Sequence, residues 1–296
     1  MKIGLVINHA EEEETGKTPS YSEIRDTAQL AETGGLDSIW LFDHLIFRSE
    51  DGETSGIWEC WSLLCALAEA TNRVELGTIV LCNPFRNPAL LAKMAHTLDE
   101  ISGSRLILGL GAGWHEPEFK AFGFPYDHRV GRFQEALQII KPLINGESVT
   151  FKGDYYQVQD CTIVPSGPRP SIPLLIGAGG PRMLRLTARY ADQWNTAWLG
   201  DTSDLPRRIA RISDACAAEG RDPASLGITV GIDVAFPDLG PTGQFTKDPL
   251  SGTAGEIAQA FREYEKAGAS HLITHLTPQT ATAVHRLAEG VAIYKS

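Results

Sequence analysis

Three short stretches carry side chains or backbone suited to chemistry. Trp40–His44 reads WLFDH, an acid followed by the one side chain whose ordinary pKa lies near neutrality. If the apolar run before it ends a strand, His44 stands where it can give or take a proton, with Asp43 orienting it or meeting a polar cofactor edge. A solvated loop pair is the plain alternative. Gly109–Gly113 reads GLGAG and is followed by Trp114, His115, Glu116 and Glu118. Glycines there let a flat ligand or a phosphate approach backbone N–H groups with no Cβ in the way, although a tight turn needs the same residues. Gly177–Gly180 reads GAGG, then Pro181 opens an amphipathic stretch. The unpaired N–H groups of such a helix start favour an anion, and Arg182 adds a charge-assisted contact.

Neither glycine stretch is a nucleotide fingerprint. The third glycine of GxGxxG would be Trp114, and the lysine and hydroxyl of a Walker A loop are missing, so a cofactor phosphate is expected and not a triphosphate being cleaved. Weaker features are Asn83, Arg86 and Asn87 around Pro84, which suit turn chemistry or ligand contacts alike. Trp194, Asn195 and Trp198 are either a pocket wall or core. His9, His115, His128 and His275 are scattered, no HExxH or GxSxG string occurs, and a metal site is not expected.

The elements that position these stretches alternate. Apolar, β-branched runs occur at Lys2–Asn8, Ser38–Phe42, Val74–Val80, Arg105–Gly109, Pro173–Ile176, Gln193–Ala197, Gly227–Val234 and His271–His275. Most are apolar at consecutive positions, as in parallel strands covered on both faces. Between them the spacing turns helical, with stripes such as Phe133, Leu137, Ile140 and Ile144. Capping-box spacing at Ser20/Glu23 and Thr253/Glu256, proline openings at Pro88 and Pro278, and glycine stops at Gly34, Gly146, Gly220 and Gly268 mark the ends. Strand and helix repeated eight times without a linker predict one (β/α)8 TIM barrel over residues 1–296, an open doubly wound sheet being the runner-up. The long connections Asp43–Ile57, Gly111–Val130 and Phe236–Ala254 then lie at the C-terminal rim, where barrels build their sites. A hairpin (Ser148–Phe151 with Tyr155–Val158) is expected as an insertion before the fifth strand.

Composition narrows the function classes. In 296 residues, 26 Lys+Arg against 37 Asp+Glu leave a net charge of −11, which disfavours nucleic acid and anionic membranes as partners. No apolar run reaches the about 18 residues that span a bilayer, and the apolar start runs into Glu11–Glu14, which reads as a solvated loop and not as a signal peptide. Five cysteines without CxxC spacing suit a reducing, cytoplasmic setting.

With WLFDH at 40–44, LGTIV at 76–80, PFRNPALLAK at 84–93, TLDEISGSRLILGLGAGWHEPEF at 97–119, FKGDYY at 151–156 and LLIGAGGPRMLRLTARYADQWN at 174–195 in this order, the sequence resembles the bacterial luciferase-like monooxygenase superfamily. The resemblance covers about residues 1–200, the rest following by pattern. It is most similar to the branch using the deazaflavin coenzyme F420. That resemblance implies a TIM-barrel oxidoreductase moving a hydride between F420 and an organic substrate, with His44 the catalytic proton donor or acceptor and Asp43 beside it at the ring. It also implies a non-prolyl cis peptide at Ile79–Val80 behind the ring, and cofactor contacts from Asn83, Gly111, Ala112 and Gly113. Gly177, Ala178, Gly179 and Gly180 would take the phosphate. Two strings depart from the branch: Trp114 stands where some deazaflavin dehydrogenases carry an acid, which argues against a sugar-phosphate substrate, and the usual SGGR reads Ser102-Gly103-Ser104-Arg105. The alternatives are an FMN-dependent monooxygenase using oxygen and a separate reductase, and a flavin-binding protein without turnover. A metal-dependent barrel hydrolase is a third. Relatives often dimerise, and a patch near Trp58, Trp61 and Leu64 would serve a homodimer, although core packing explains those residues equally well.

Overall fold

The computed structural model describes residues 1–12, 15–49, 52–243 and 246–296. Glu13 and Glu14 of the acidic run, and Glu50, Asp51, Gln244 and Phe245 of two rim connections, lie outside the described residues.

Eight parallel strands close into a barrel: β1 (Lys2–Val6), β2 (Ser38–Leu41), β3 (Glu75–Thr78), β4 (Leu106–Gly111), β5 (Leu174–Gly177), β6 (Gln193–Leu199), β7 (Gly227–Ala235) and β8 (His271–Thr277). Each pairs with the next in sequence; β8 returns to β1, and β4 to β5 completes the ring. The outer layer is α1 (Tyr21–Thr33), α2 (Cys60–Ala70), α3 (Pro88–Ser102), α4 (Glu116–Phe122), α5 (Arg129–Ile144), α6 (Pro181–Tyr190), α7 (Leu205–Ala218), α8 (Ala254–Lys266) and α9 (Ala281–Lys295). The expected capping boxes are formed: the Ser20 and Thr253 side chains accept from the Glu23 and Glu256 N–H groups, and those glutamates accept in return. Pro88 opens α3, but Pro278 does not open α9, which starts three residues later, where the side chain of the N-cap Thr280 accepts from the Ala283 N–H.

Side chains alternate along each strand, so every second residue faces the lumen. Val6, Trp40, Ile107, Leu175 and Ile273 pack together there, apart from the larger core between strands and helices. The Trp40 indole fits because Gly77 and Gly4 flank it: a Cβ on Gly77 would stand 2.1 Å from a Trp40 ring atom. Its Nε1 donates to Ser38 Oγ (2.7 Å), which is also 2.7 Å from His271 Nε2. Burial drives the His271 pKa down to about 3, so the ring is neutral and the barrel is filled and uncharged at this level.

The insertion before β5 is an antiparallel hairpin of Val149–Lys152 with Gln157–Cys161, its second strand starting two residues later than the sequence suggested. The carboxylate of Glu135 explains the turn, accepting from the Asp154, Tyr155 and Tyr156 N–H groups at 2.8, 2.9 and 3.1 Å. The patch expected for dimerisation does not form: Leu64 and Trp61 are buried in the core, and only Trp58 is exposed.

Candidate active site

A cleft of about 390 Å³ lies at the C-terminal mouth. It is lined by residues that follow β2, β3, β4 and β5, as barrel geometry requires. One wall is Ile79 and Val80, whose peptide bond is cis. Gly111 and Gly177 give Val80 its room, since a Cβ on Gly111 would stand 2.6 Å from Val80 Cγ2. Gly113 is at φ 78°, and a Cβ there would press on Cys82 Sγ and the Phe119 ring at 2.5 and 2.6 Å. Only glycine satisfies both demands. Opposite, Gly177, Ala178 and Gly179 bring a second stretch of backbone to the cleft. The buried Trp194 fixes that turn by donating its Nε1–H to Ala178 O (2.9 Å), and Arg211 donates to Gly179 O (2.7 Å).

His44 lines the cleft with its side chain 14% exposed. Its Nδ1 is 3.0 Å from Oε1 of Glu118, a residue of α4 whose side chain is only 1% exposed. A carboxylate accepts, so Nδ1 carries the proton and donates it. The other oxygen of Glu118 accepts from the Leu45 N–H at 2.9 Å, which fixes the carboxylate against the His44 loop. Among the described residues nothing in the protein bonds Nε2 of His44. The ring is packed between Phe47 (centroids 4.6 Å apart) and the edge-on Trp114 (5.4 Å), itself 64% exposed at the rim.

Asp43 does not do what the sequence suggested. Its backbone reaches the cleft, but its carboxylate is buried away from His44, accepting from both terminal nitrogens of Arg86 (2.6 and 3.0 Å) and from the Cys82 N–H (2.8 Å). Burial alone would weaken the Arg86 charge, yet Asp43 raises its pKa above the ordinary arginine value. Glu118, 74 residues away in sequence, is the acid that orients the histidine. Asn83 is a second departure: it is fully buried in the turn Asn83–Phe85 and does not line the cleft. Gly180 is the N-cap of α6, one residue beyond the lining turn. Glu116 is on the surface with Lys120.

Sequence reading missed a second pair at the mouth. His275, two residues beyond the lumen residue Ile273 on β8, has Nδ1 2.9 Å from Oδ1 of the buried Asp233 on β7, its register partner. The neighbouring Trp198 packs on the lumen cluster. Cys82 is no nucleophile, because burial pushes its thiol pKa far above the ordinary range. Among the described residues no group of three or more His, Cys, Asp or Glu is placed to hold a metal ion, and no helix is long and apolar enough to cross a membrane.

Barrel, glycine-walled cleft and rim histidine together define a class, and comparison with known proteins gives it a name. Residues 1–239 match the luciferase-like monooxygenase family model, and the chain belongs to that family. It is 37% identical over 177 residues to an F420-dependent glucose-6-phosphate dehydrogenase of Amycolatopsis mediterranei, covering 57% of this chain and 51% of that protein. It is 36% identical over 174 residues to a 5,10-methylenetetrahydromethanopterin reductase of Archaeoglobus fulgidus, covering 58% and 48%. The chain thus spans about half the length of these curated relatives. Its fold superposes on an F420-dependent secondary alcohol dehydrogenase, solved with an F420–acetone adduct, at a TM-score of 0.81 and 20% identity over 100% of this chain and 99% of the other.

Proposed function

We propose that this protein is an F420-dependent oxidoreductase that moves a hydride between the deazaflavin and a small organic alcohol or carbonyl compound. The observation that carries this reading is His44: a histidine held by a buried carboxylate on one nitrogen, with the other nitrogen unbonded at a cleft walled by glycine backbone. The cleft suits a flat, uncharged ring, having the apolar Ile79–Val80 wall on one side and glycine turns free of side chains on the other. The relative named for F420 supports the cofactor, and the different substrates in the two relatives' names, a sugar phosphate and a methanopterin, leave the substrate to the rim. Trp114, apolar where some relatives carry an acid, favours a small and weakly polar substrate at that rim.

When bound, the deazaflavin supplies two-electron hydride chemistry. The chain's own part is to hold the proton. Nε2 of His44 takes the proton of an alcohol as its carbon is oxidised, or returns it to the oxygen of a carbonyl being reduced. Glu118 keeps Nδ1–H in place and balances the imidazolium that results. Gly111–Gly113 and Gly177–Gly179 would hold the cofactor by backbone, and Phe47 and Trp114 pack on the histidine ring and fix its orientation.

The test is a titration of the protein with oxidised F420 and, separately, with FMN, followed by quenching of tryptophan emission. F420 is expected to bind the more tightly. FMN preference would move the protein to the oxygen-using monooxygenases, and failure of both to bind would remove the reading. His44→Ala is expected to lose turnover by about 10²–10⁴-fold while keeping cofactor affinity. A variant retaining both would show that His44 does not carry the proton, and a wild-type protein that binds F420 but turns over no alcohol or ketone would be a binding protein without this chemistry.

A further inference from the structure

A second cavity, of about 470 Å³, opens beside the cleft and shares Val130 with it. Two guanidinium groups line it. Arg129 lies over the Tyr126 ring at 3.9 Å and donates to Gly113 O, a backbone oxygen of the cleft itself, at 3.2 Å. Arg182, at the start of α6 just beyond the Gly177–Gly180 turn, donates to Gln134 Oε1 at 2.9 Å. Neither is within ion-pair distance of a carboxylate among the described residues. Elsewhere Arg86, Arg132, Arg169, Arg189, Arg208 and Arg286 meet one, while Arg73, Arg105, Arg211 and Arg221 give their N–H groups to backbone and hydroxyl oxygens; Arg129 and Arg182 differ in lining a cavity. The His128 ring lines the same cavity, stacked on Tyr155 with ring centroids 5.8 Å apart. Of the two carboxylates there, Glu135 is occupied by three backbone N–H groups of the hairpin turn, which leaves Asp154 against two arginines and an imidazole.

Two uncompensated arginines on one cavity, in a protein of net charge −11, form a site for an anion. The position of the cavity says which. It adjoins the cleft at Val130, and its Arg182 follows directly on the turn suited to a cofactor phosphate. Resting on the F420 reading above, we propose that this cavity receives the anionic tail of the cofactor. The phosphate stays at Gly177–Gly179, and the glutamyl carboxylates that F420 carries beyond it meet Arg129 and Arg182. FMN, which ends at its phosphate, does not reach it. The cavity thereby selects for the deazaflavin by charge and not by its ring.

Three ligands test this: F420, the form carrying the phosphate without glutamates, and the deazaflavin riboside carrying neither. In the wild-type protein the glutamates are expected to tighten binding by about tenfold, an increment that shrinks as salt is raised. Arg129→Gln with Arg182→Gln is expected to erase that increment and leave the riboside affinity within about twofold. Arg182→Gln alone, which touches nothing in the cleft, should lose part of it. Equal wild-type affinity for the forms with and without glutamates would overturn the inference, as would an equal loss for all three ligands in the variants. If no deazaflavin form binds, the F420 reading fails, and this inference with it; if the riboside binds and the glutamates add nothing, only the inference fails.

Discussion

The Glu118→Gln substitution tests the chemistry of the mouth most directly. The carboxylate accepts twice, from His44 Nδ1–H at 3.0 Å and from the Leu45 N–H at 2.9 Å. An amide has one oxygen. If that oxygen stays on the Leu45 N–H, the NH2 group faces Nδ1 and forces the imidazole into the opposite tautomer, with its proton on Nε2 and no lone pair facing the cleft. The imidazolium also loses its counter-charge. Two unit charges roughly 4 Å apart at an effective dielectric near 20 attract by about 4 kcal/mol, and the partial exposure of His44 trims this to about 3 kcal/mol. At about 1.36 kcal/mol per decade, kcat should fall on the order of 10²-fold. The assay is the absorbance of oxidised F420 with the best substrate from a panel of small alcohols and ketones, alongside cofactor titration. Cofactor Kd should stay within about threefold, because Glu118 acts through His44. The double variant with His44→Gln should be no slower than the slower single variant, since the two residues act as one unit. Full activity in Glu118→Gln, or additive losses in the double variant, would refute the reasoning.

Three other outcomes follow from the packing and the charges. Arg86→Met leaves the Asp43 carboxylate buried with only the Cys82 N–H, and should cost about 3–5 kcal/mol in chemical denaturation; a loss below about 1 kcal/mol would mean that Asp43 is neutral or rehydrated. Gly77→Ala drives a methyl group into the Trp40 ring and should destabilise by about 1–3 kcal/mol, with Trp40 emission as a local reporter. His271 is held near pKa 3 by burial against about 6.5 when unfolded, so the unfolded chain binds the extra proton between those values. Its contribution is therefore complete above about pH 6.5 and falls as pH drops, by about 2 kcal/mol at pH 5. His271→Gln should flatten that part of the acid slope, and a variant as acid-sensitive as the wild type would place the effect elsewhere.

The barrel was legible because each strand is a run of consecutive apolar residues set between helical stripes, a local property. Strand ends moved by one or two residues where pairing and not hydropathy decides, as at β4, which runs on to Gly111 through two glycines that hydropathy cannot score. The site was half legible. The glycine turns and His44 announce themselves, because their residue types are unusual at strand ends. The partners do not: Glu118 sits in a stretch with Glu116, and only the first turns of α4 decide which of them faces inward. Arg86 looked like turn chemistry because its carboxylate lies 43 residues earlier. The His275–Asp233 pair was reachable in principle, since β7 and β8 in register place them side by side, but that needs a register no single sequence prints.

Filling the lower lumen with Trp40, Val6 and Ile273 gives the barrel a single doorway. Whatever lies against the Ile79–Val80 wall must enter before anything that rests above it, and can leave only after. On the proposed reading this floor predicts an order of events, with the cofactor first in and last out and organic substrates exchanging in between past Trp114 and Phe47; product inhibition patterns that show random order would contradict it.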